Sequence, residues 1–207
     1  MRGTMPTSGR RWRQAEAVLP LDANGCIRLA IIADTHSRPH PDAAEHIARL
    51  EPAAILHAGD IGDLAVLDRF SKIAQVIAVR GNIDERAPGV PSPPDSVLID
   101  LRRGAQSAFK LLLMHIAVHG PKLRVEAVRL AKAREAALVV CGHSHVPFAG
   151  RYAGLTVFNP GSIGPRRMHL PIVFGVLEIS AGKLSLRHID CETGQAWSPQ
   201  LPGLHGA

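Results

Sequence analysis

Cysteine is scarce: Cys26, Cys141 and Cys191 are the three in 207 residues. They are far apart, odd in number and form no CxxC pair, which argues against a disulfide framework and for a reducing compartment. Cys141 lies inside the apolar run "ALVVCG" and reads as a small core residue. Aromatic residues make up only 4% of the chain, so the core is expected to be built from Val, Ile, Leu and Ala. No stretch approaches 18 uninterrupted apolar residues, so no membrane-spanning helix is expected. The N-terminal Arg residues are not followed by an apolar h-region, so no secretory signal is expected and the cytoplasm is the default location. The net charge of +6 is spread rather than blocked, with its densest cluster at "GRRWR" near the N-terminus. Such a charge favours anionic substrates. A basic stripe with interleaved aromatics is lacking, so a nuclease or nucleic-acid binder ranks last among the function classes.

What is present is a regular alternation. With 46% hydrophobic residues, 207 positions suit one compact α/β domain. Residues 1–24 mix Gly, Pro, Ser, Thr and Arg with weak periodicity and read as a flexible extension. Residues 25–192 carry the domain, and residues 193–207 read as a loose tail. "CIRLAIIAD", "AAILHAGD" and "AQVIAVRGN" read as strands separated by helices at "PDAAEHIARLE" and "LAVLDRFSK", which implies βαβ crossovers and parallel pairing. "ERAPGVPSPPD" reads as an irregular loop. "SVLIDL" and "AFKLLLMHI" look like a strand pair. "PKLRVEAVRLAKAREA" reads as the clearest helix, with Pro121 in its first turn and a broad apolar stripe from Leu123 to Ala131. "ALVVCG" and "GLTVFNPGS" are further strands, and "PIVFGVLEIS" pairs with "KLSLRHID" in a hairpin turning near Ala181–Gly182. The expected fold is a four-layer α/β/β/α sandwich around two mixed sheets, the first mainly parallel.

Seven side chains able to hold a metal stand at the ends of five of these strands. They are Asp34 and His36 in "IADTHS", Asp60 in "LHAGDIGD", Asn82 in "VRGNIDE", His115 in "LLLMHI", and His143 with His145 in "CGHSHVP". Ligands in open α/β sheets gather at the carboxyl ends of strands. Seven donors are too many for one ion and suit two divalent cations about 3.5–4 Å apart sharing one carboxylate. Taken singly, each has an ordinary reading. Asp34-x-His36 is also what a capped turn looks like, and it reaches one ion only if the backbone stays extended. Gly59-Asp60 and Gly81-Asn82 are common turn dipeptides. Asp63 suits a helix cap, and Asp84 suits a place behind Asn82. His115 has a rival in His119. His57, within the strand before Asp60, could support the site. The pair His143–Ser144–His145 is the most specific local signal. Arg166 and Arg167 could hold a substrate phosphate or form a solvated turn.

The order D-x-H, G-D, G-N-x-D, H, G-H-S-H, then "NPGSIGPRR", over about Cys26 to Asp190, resembles the calcineurin-like metallophosphoesterase superfamily. It is nearest the small single-domain branch that includes bacterial and archaeal phosphodiesterases and a retromer sorting subunit. The resemblance implies a di-metal centre, manganese first with iron, zinc or nickel as alternatives. It places Asp34, His36 and His145 on one ion, Asn82, His115 and His143 on the other, and Asp60 across both. It implies a phosphoesterase, diester before monoester, in which a metal-bridged hydroxide attacks phosphorus, with Asp60, Asn82 and His115 as the catalytic set. The expected partner is a small phosphate ester, and a homo-oligomer is compatible. The chain departs from the pattern at Ile83, where relatives carry a His that can protonate the leaving group, and at Ile116-Ala117, where relatives read Gly-His. A second reading is a catalytically weak or inactive scaffold of the same fold that binds other proteins.

Overall fold

The computed structural model describes residues 12–84, 92–120 and 122–199. In chain order the elements are β1 (Gln14–Pro20), β2 (Ile27–Ile32), α1 (Ala43–Ala48), β3 (Ala54–His57), α2 (Ala65–Ser71), β4 (Gln75–Ala78), β5 (Ser96–Arg103), β6 (Gln106–Met114), β7 (Val118–His119), β8 (Lys122–Leu123), α3 (Val125–Ala133), β9 (Leu138–Val140), β10 (Phe148–Tyr152), β11 (Leu155–Asn159), β12 (Val173–Ser180), β13 (Lys183–Asp190) and β14 (Ala196–Trp197). One six-stranded sheet runs β14-β13-β12-β2-β3-β4, and the other runs β1-β5-β6-β9-β11-β10. In the first, β2, β3 and β4 are parallel, while β12 lies antiparallel to β2. In the second, β6, β9 and β11 are parallel. Both sheets are mixed, as expected, but the first is not mainly parallel, because β14, β13, β12 and β2 pair antiparallel in turn; the parallel strands of each sheet carry the candidate site residues at their carboxyl ends.

Three apolar clusters separate four layers. Alternate residues of β2, Leu29 and Ile31, meet Ile99, Leu111, Leu113, Leu138 and Val140 between the two sheets. Their neighbours in sequence, Ala30 and Ile32, face the other way onto Ile47 of α1 and Phe70 of α2. On the far side Leu112 and Val139 pack on Ala127 and Ala131 of α3. The period-2 alternation of a strand thus divides the aliphatic residues between adjacent cores. Phe70, Phe158 and Phe174 are the largest side chains among the fully buried ones. Cys141 and Cys191 are free and buried, and Cys141 belongs to the cluster under α3.

Four further expectations are corrected. Residues 14–20 are not a flexible extension: β1 pairs in parallel with β5 over seven residues, Gln14 opposite Ser96 to Pro20 opposite Arg102. Of these only Leu19 is buried, so an edge strand held by main-chain pairing left almost no apolar periodicity to read. Residues 1–11 lie outside the described residues. The tail is not wholly loose either, because β14 pairs with β13, and Trp197 sets its ring edge-on to His188; residues 200–207 lie outside the described residues. The third helix starts at Val125, since Lys122–Leu123 pairs with Val118–His119 in a small hairpin; Pro121 lies outside the described residues. Its buried face is narrow, Ala127 and Ala131, and Val125 is 67% exposed. Strand β10, a largely exposed edge strand with Gly150 inside it, was not expected. The hairpin at Ala181–Gly182 is as expected, with both residues at positive φ, 49° and 73°, the backbone a two-residue I′ turn requires.

Candidate metal centre

The main-chain ladder between β2 and β3 continues past their formal ends. Asp34 N–H donates to Gly59 O at 2.9 Å, His36 N–H to Asp60 O at 3.0 Å and Ser37 N–H to Ile61 O at 2.9 Å. The backbone there is not extended. Asp34, His36, Asp60, His143 and His145 all have left-handed φ, between 45° and 71°. A turn, not an i, i+2 strand repeat, aims Asp34 and His36. Each such non-Gly residue costs roughly 1–2 kcal/mol, and strain of this kind concentrates at functional sites. Two glycines permit the close approach. A Cβ on Gly59 would meet His115 Nδ1 at 2.7 Å, and one on Gly81 would meet Asp60 Oδ1 at 2.2 Å.

Six of the seven candidates fall into two donor clusters. Asp34, His36 and His145 offer atoms all within 4.8 Å of one another, and so do Asp60, His115 and His143. Asp60 faces both: its Oδ1 is 3.3 Å from His115 Nε2, and its Oδ2 is 3.8 Å from His36 Nε2. His145 Nε2 lies 3.5 Å from Asp34 Oδ1 and 3.2 Å from His36 Nε2. The rings of His115 and His143 meet edge to face, centroids 5.2 Å apart. Asn82 is exposed at the end of β4, and the backbone on both sides of it is bound into the site. Gly81 N–H donates to Asp84 Oδ2 at 2.7 Å and Ile83 N–H to Asp60 Oδ1 at 3.2 Å. His119 is exposed on the β7–β8 hairpin and belongs to neither cluster.

The residues behind the site fix its donors. His115 Nδ1 lies 2.8 Å from Ala58 O, which makes Nδ1 the donor and turns the Nε2 lone pair toward Asp60. Nε2 is buried and makes no hydrogen bond of good geometry. A lone pair facing a carboxylate at 3.3 Å is unfavourable unless a cation or proton lies between them, so the donor set fits a divalent cation. Asn159, at the end of β11, donates to Gly142 O at 2.8 Å and Ser144 Oγ at 3.1 Å and accepts from Gly161 N–H at 2.9 Å, which ties down the His143–His145 turn. Nothing but the "NPGS" run marks this role in the sequence. Asp34 accepts from His143 N–H at 3.0 Å, linking the two sheets. Asp63 Oδ1 accepts from Ala65 N–H at 3.0 Å, a turn one residue ahead of the α2 cap, which is Leu64 and not the expected Asp63. Arg166 is committed elsewhere, to Glu192 and Leu170 O, while Arg167 reaches His36.

Asp84 is 1% exposed and accepts three backbone N–H groups, from Ile61, Gly62 and Gly81. It joins the β3 and β4 loops that carry Asp60 and Asn82. Asp84→Ala removes the acceptor of three backbone donors, two of them, Ile61 and Gly81, buried, at roughly 1–3 kcal/mol each when wholly unmet. The expected loss is about 3 kcal/mol of unfolding free energy in urea, with weakened cation binding. A variant within 0.5 kcal/mol of the parent, a margin of about experimental error, would contradict this role.

Burial raises the Asp34 carboxyl to about 7, against the opposing charge of His115. Burial alone would raise Asp60 too, but the nearness of the His115 ring, with Nε2 3.3 Å from Oδ1, holds it below the usual carboxylate range. His115 is raised: burial would lower it, but the nearby Asp60 and Asp34 carboxylates outweigh that. His145 is pushed down to about 4 by burial and then by Arg167. His57 is fully buried, accepts Gly59 N–H at Nδ1 and faces Thr35 Oγ1 through Nε2, which makes it a neutral donor to that hydroxyl. Burial holds it down to about 3. A depressed His gives stability that is present above its unfolded value near 6.5 and lost on acidification. His57 alone therefore removes about 1.4 kcal/mol per pH unit below 6.5. Asp34 acts oppositely between 3.8 and about 7, because burial disfavours its charged form, and it offsets about as much as His57 removes; His145, depressed to about 4, adds a second loss over the same window and decides the sign. A cation replaces the Asp34 proton. The expected result is a metal-free urea midpoint that falls from pH 7 to pH 5, and a thermal shift by Mn²⁺ that is larger at pH 7.5 than at 5.5. A shift independent of pH would show that no proton leaves.

This fold and this two-cluster site match known proteins. The sequence profile of the calcineurin-like phosphoesterase superfamily domain matches residues 27–182. A protein of Methanothermobacter thermautotrophicus named "Probable metallophosphoesterase" is 32% identical over 163 residues, which is 75% of this chain and 88% of that one. "Phosphodiesterase YfcE" of Escherichia coli is 29% identical over 120 residues, 55% of this chain and 58% of that one. Among solved structures, YfcE from E. coli aligns with a TM-score of 0.56 at 20% identity, covering 83% of this chain and 97% of that one. Vps29 from Entamoeba histolytica, complexed with zinc, aligns at 0.62 with 21% identity, covering 83% and 96%. These structural likenesses show the shared fold. The chain belongs to the calcineurin-like phosphoesterase superfamily, and so to a class of metal-dependent phosphoester hydrolases. Among the described residues no helix is long and apolar enough to cross a membrane.

Proposed function

We propose that the chain is a phosphodiesterase acting on small phosphate esters with two divalent cations. Asp34, His36 and His145 would hold one, Asn82, His115 and His143 the other, and Asp60 would contribute an oxygen to each. One observation carries the reading: the two oxygens of Asp60 face His115 and His36, members of two separate donor clusters, and His115 Nε2 is buried without a hydrogen bond. Bound cations supply a water made acidic enough to attack at neutral pH and positive charge for the phosphoryl oxygens. The protein's part is to orient and to stabilise charge. The Ala58 carbonyl fixes the His115 tautomer, Asp84 holds the two loops together, and Asn82 supplies an amide N–H to the charge that grows on the phosphoryl group. Manganese is the first choice, with iron, zinc and nickel open to the same Asp, Asn and His donors.

The test is a metal-by-substrate screen with bis(p-nitrophenyl) phosphate and p-nitrophenyl phosphate, with metal content measured on the same samples. Two ions per chain and diester turnover above monoester are expected; one ion or none would overturn the reading. A scaffold role is the second reading, favoured by the Vps29 likeness. Two bound ions without turnover of any ester would select it.

A further inference from the structure

Arg166 and Arg167 are adjacent and chemically identical, yet the fold uses them differently. Arg166 is closed off by Glu192 Oε1 at 2.6 Å and Leu170 O at 3.1 Å. Arg167 makes no ion pair with a carboxylate among the described residues. Its Nη2 instead donates to His36 Nε2 at 3.1 Å, at the mouth of the first donor cluster. The loop that carries it is fastened down. Ser162 Oγ donates to Asp34 O at 3.0 Å, and His40 N–H donates to Ile163 O at 2.6 Å. Gly164 lies so close to Asp34 that a Cβ would stand 2.2 Å from its carbonyl oxygen. The backbone leading to Arg167 is therefore held against Asp34, and Arg167 O accepts Leu170 N–H at 3.0 Å.

The His36 Nε2 lone pair cannot serve a guanidinium and a cation together. A cation taking it releases Arg167, whose fork of donors is then unpaired at the mouth of the site. Such a fork matches two oxygens of one phosphate. We propose that Arg167 binds the substrate phosphate and couples it to the metals, opposing cation entry alone and favouring it once the anion is present. This rests on the two-cation reading above. Coupling of this kind is reciprocal, so phosphate and Mn²⁺ should each tighten the other.

Two effects of opposite sign follow for Arg167→Ala. Mn²⁺ alone should bind about fivefold tighter, and inorganic phosphate in the presence of Mn²⁺ should bind at least about tenfold weaker, within the usual range of site-to-site coupling. Arg167→Lys keeps the charge but not the fork and should fall between. Arg166→Ala should change neither constant. Calorimetric titration of the purified chain with Mn²⁺, then with phosphate, reads both. Unchanged or weaker Mn²⁺ binding in Arg167→Ala would overturn the proposal, since a loss of local structure alone would do that. A parent protein that binds no Mn²⁺ overturns the two-cation reading itself. A parent that binds two ions and phosphate, beside an Arg167→Ala variant that titrates identically, overturns this inference alone.

Discussion

Replacing Asp60 by Asn is expected to lower kcat/KM on the order of 10³-fold and to leave one tightly bound cation per chain instead of two. A loss of that size corresponds to about 4 kcal/mol of transition-state stabilisation. The carboxylate sets Oδ1 3.3 Å from His115 and Oδ2 3.8 Å from His36. An amide offers one oxygen and one NH₂ group, so it can serve only one of the two clusters. The substitution is nearly isosteric, and the amide oxygen can still accept Ile83 N–H as Asp60 Oδ1 does. The loops therefore stay in place, and the loss reports charge and bridging rather than misfolding. Metal content and kcat/KM measured on the same preparation check it, with thermal unfolding as the control for the fold. Two ions and the parent rate in Asp60→Asn would remove the bridging role.

The sequence showed which side chains meet, but not the backbone that brings them together. Asp34, His36, Asp60, His115, His143 and His145 were legible because each lies just past an apolar run, and an apolar run is the visible signature of a buried strand. The sandwich was legible for the same reason, since β2 alternates its aliphatic residues between two cores. Where burial is slight, the signal vanished. β1 buries only Leu19, and β10 is exposed along its middle. The left-handed φ of five site residues could not be read, because non-Gly residues give no compositional sign of it. Nor could Asn159 be assigned, since a buried amide that ties a turn looks in sequence like any Asn before a Pro. Arg166 and Arg167 are indistinguishable in sequence. Glu192, 26 positions away, decides between them.

Ile83→His is the converse experiment, expected to add activity. Ile83 follows Asn82, is 47% exposed and is fixed by its own N–H on Asp60 Oδ1, so an imidazole placed there has both room and an anchored backbone. The parent has no ionisable side chain at this position, so departure of the ester oxygen should rest on its own acidity. The parent should therefore turn over p-nitrophenyl esters far better than alkyl esters. A positioned general acid contributes roughly 10²–10⁴-fold. An untuned imidazole on an exposed loop should reach at most the foot of that range, about 10- to 100-fold on an alkyl phosphodiester. Esters of p-nitrophenol, which leave without a proton, should change little. The sign of the pH dependence separates this from a general improvement of the site. An acid must be protonated to act, so the gain on alkyl esters should be full below the ordinary imidazole value near 6.5 and fade above it. Equal gains on both ester types, or a gain that grows with pH, would show that the new His acts on the metals or the substrate and not on the leaving group.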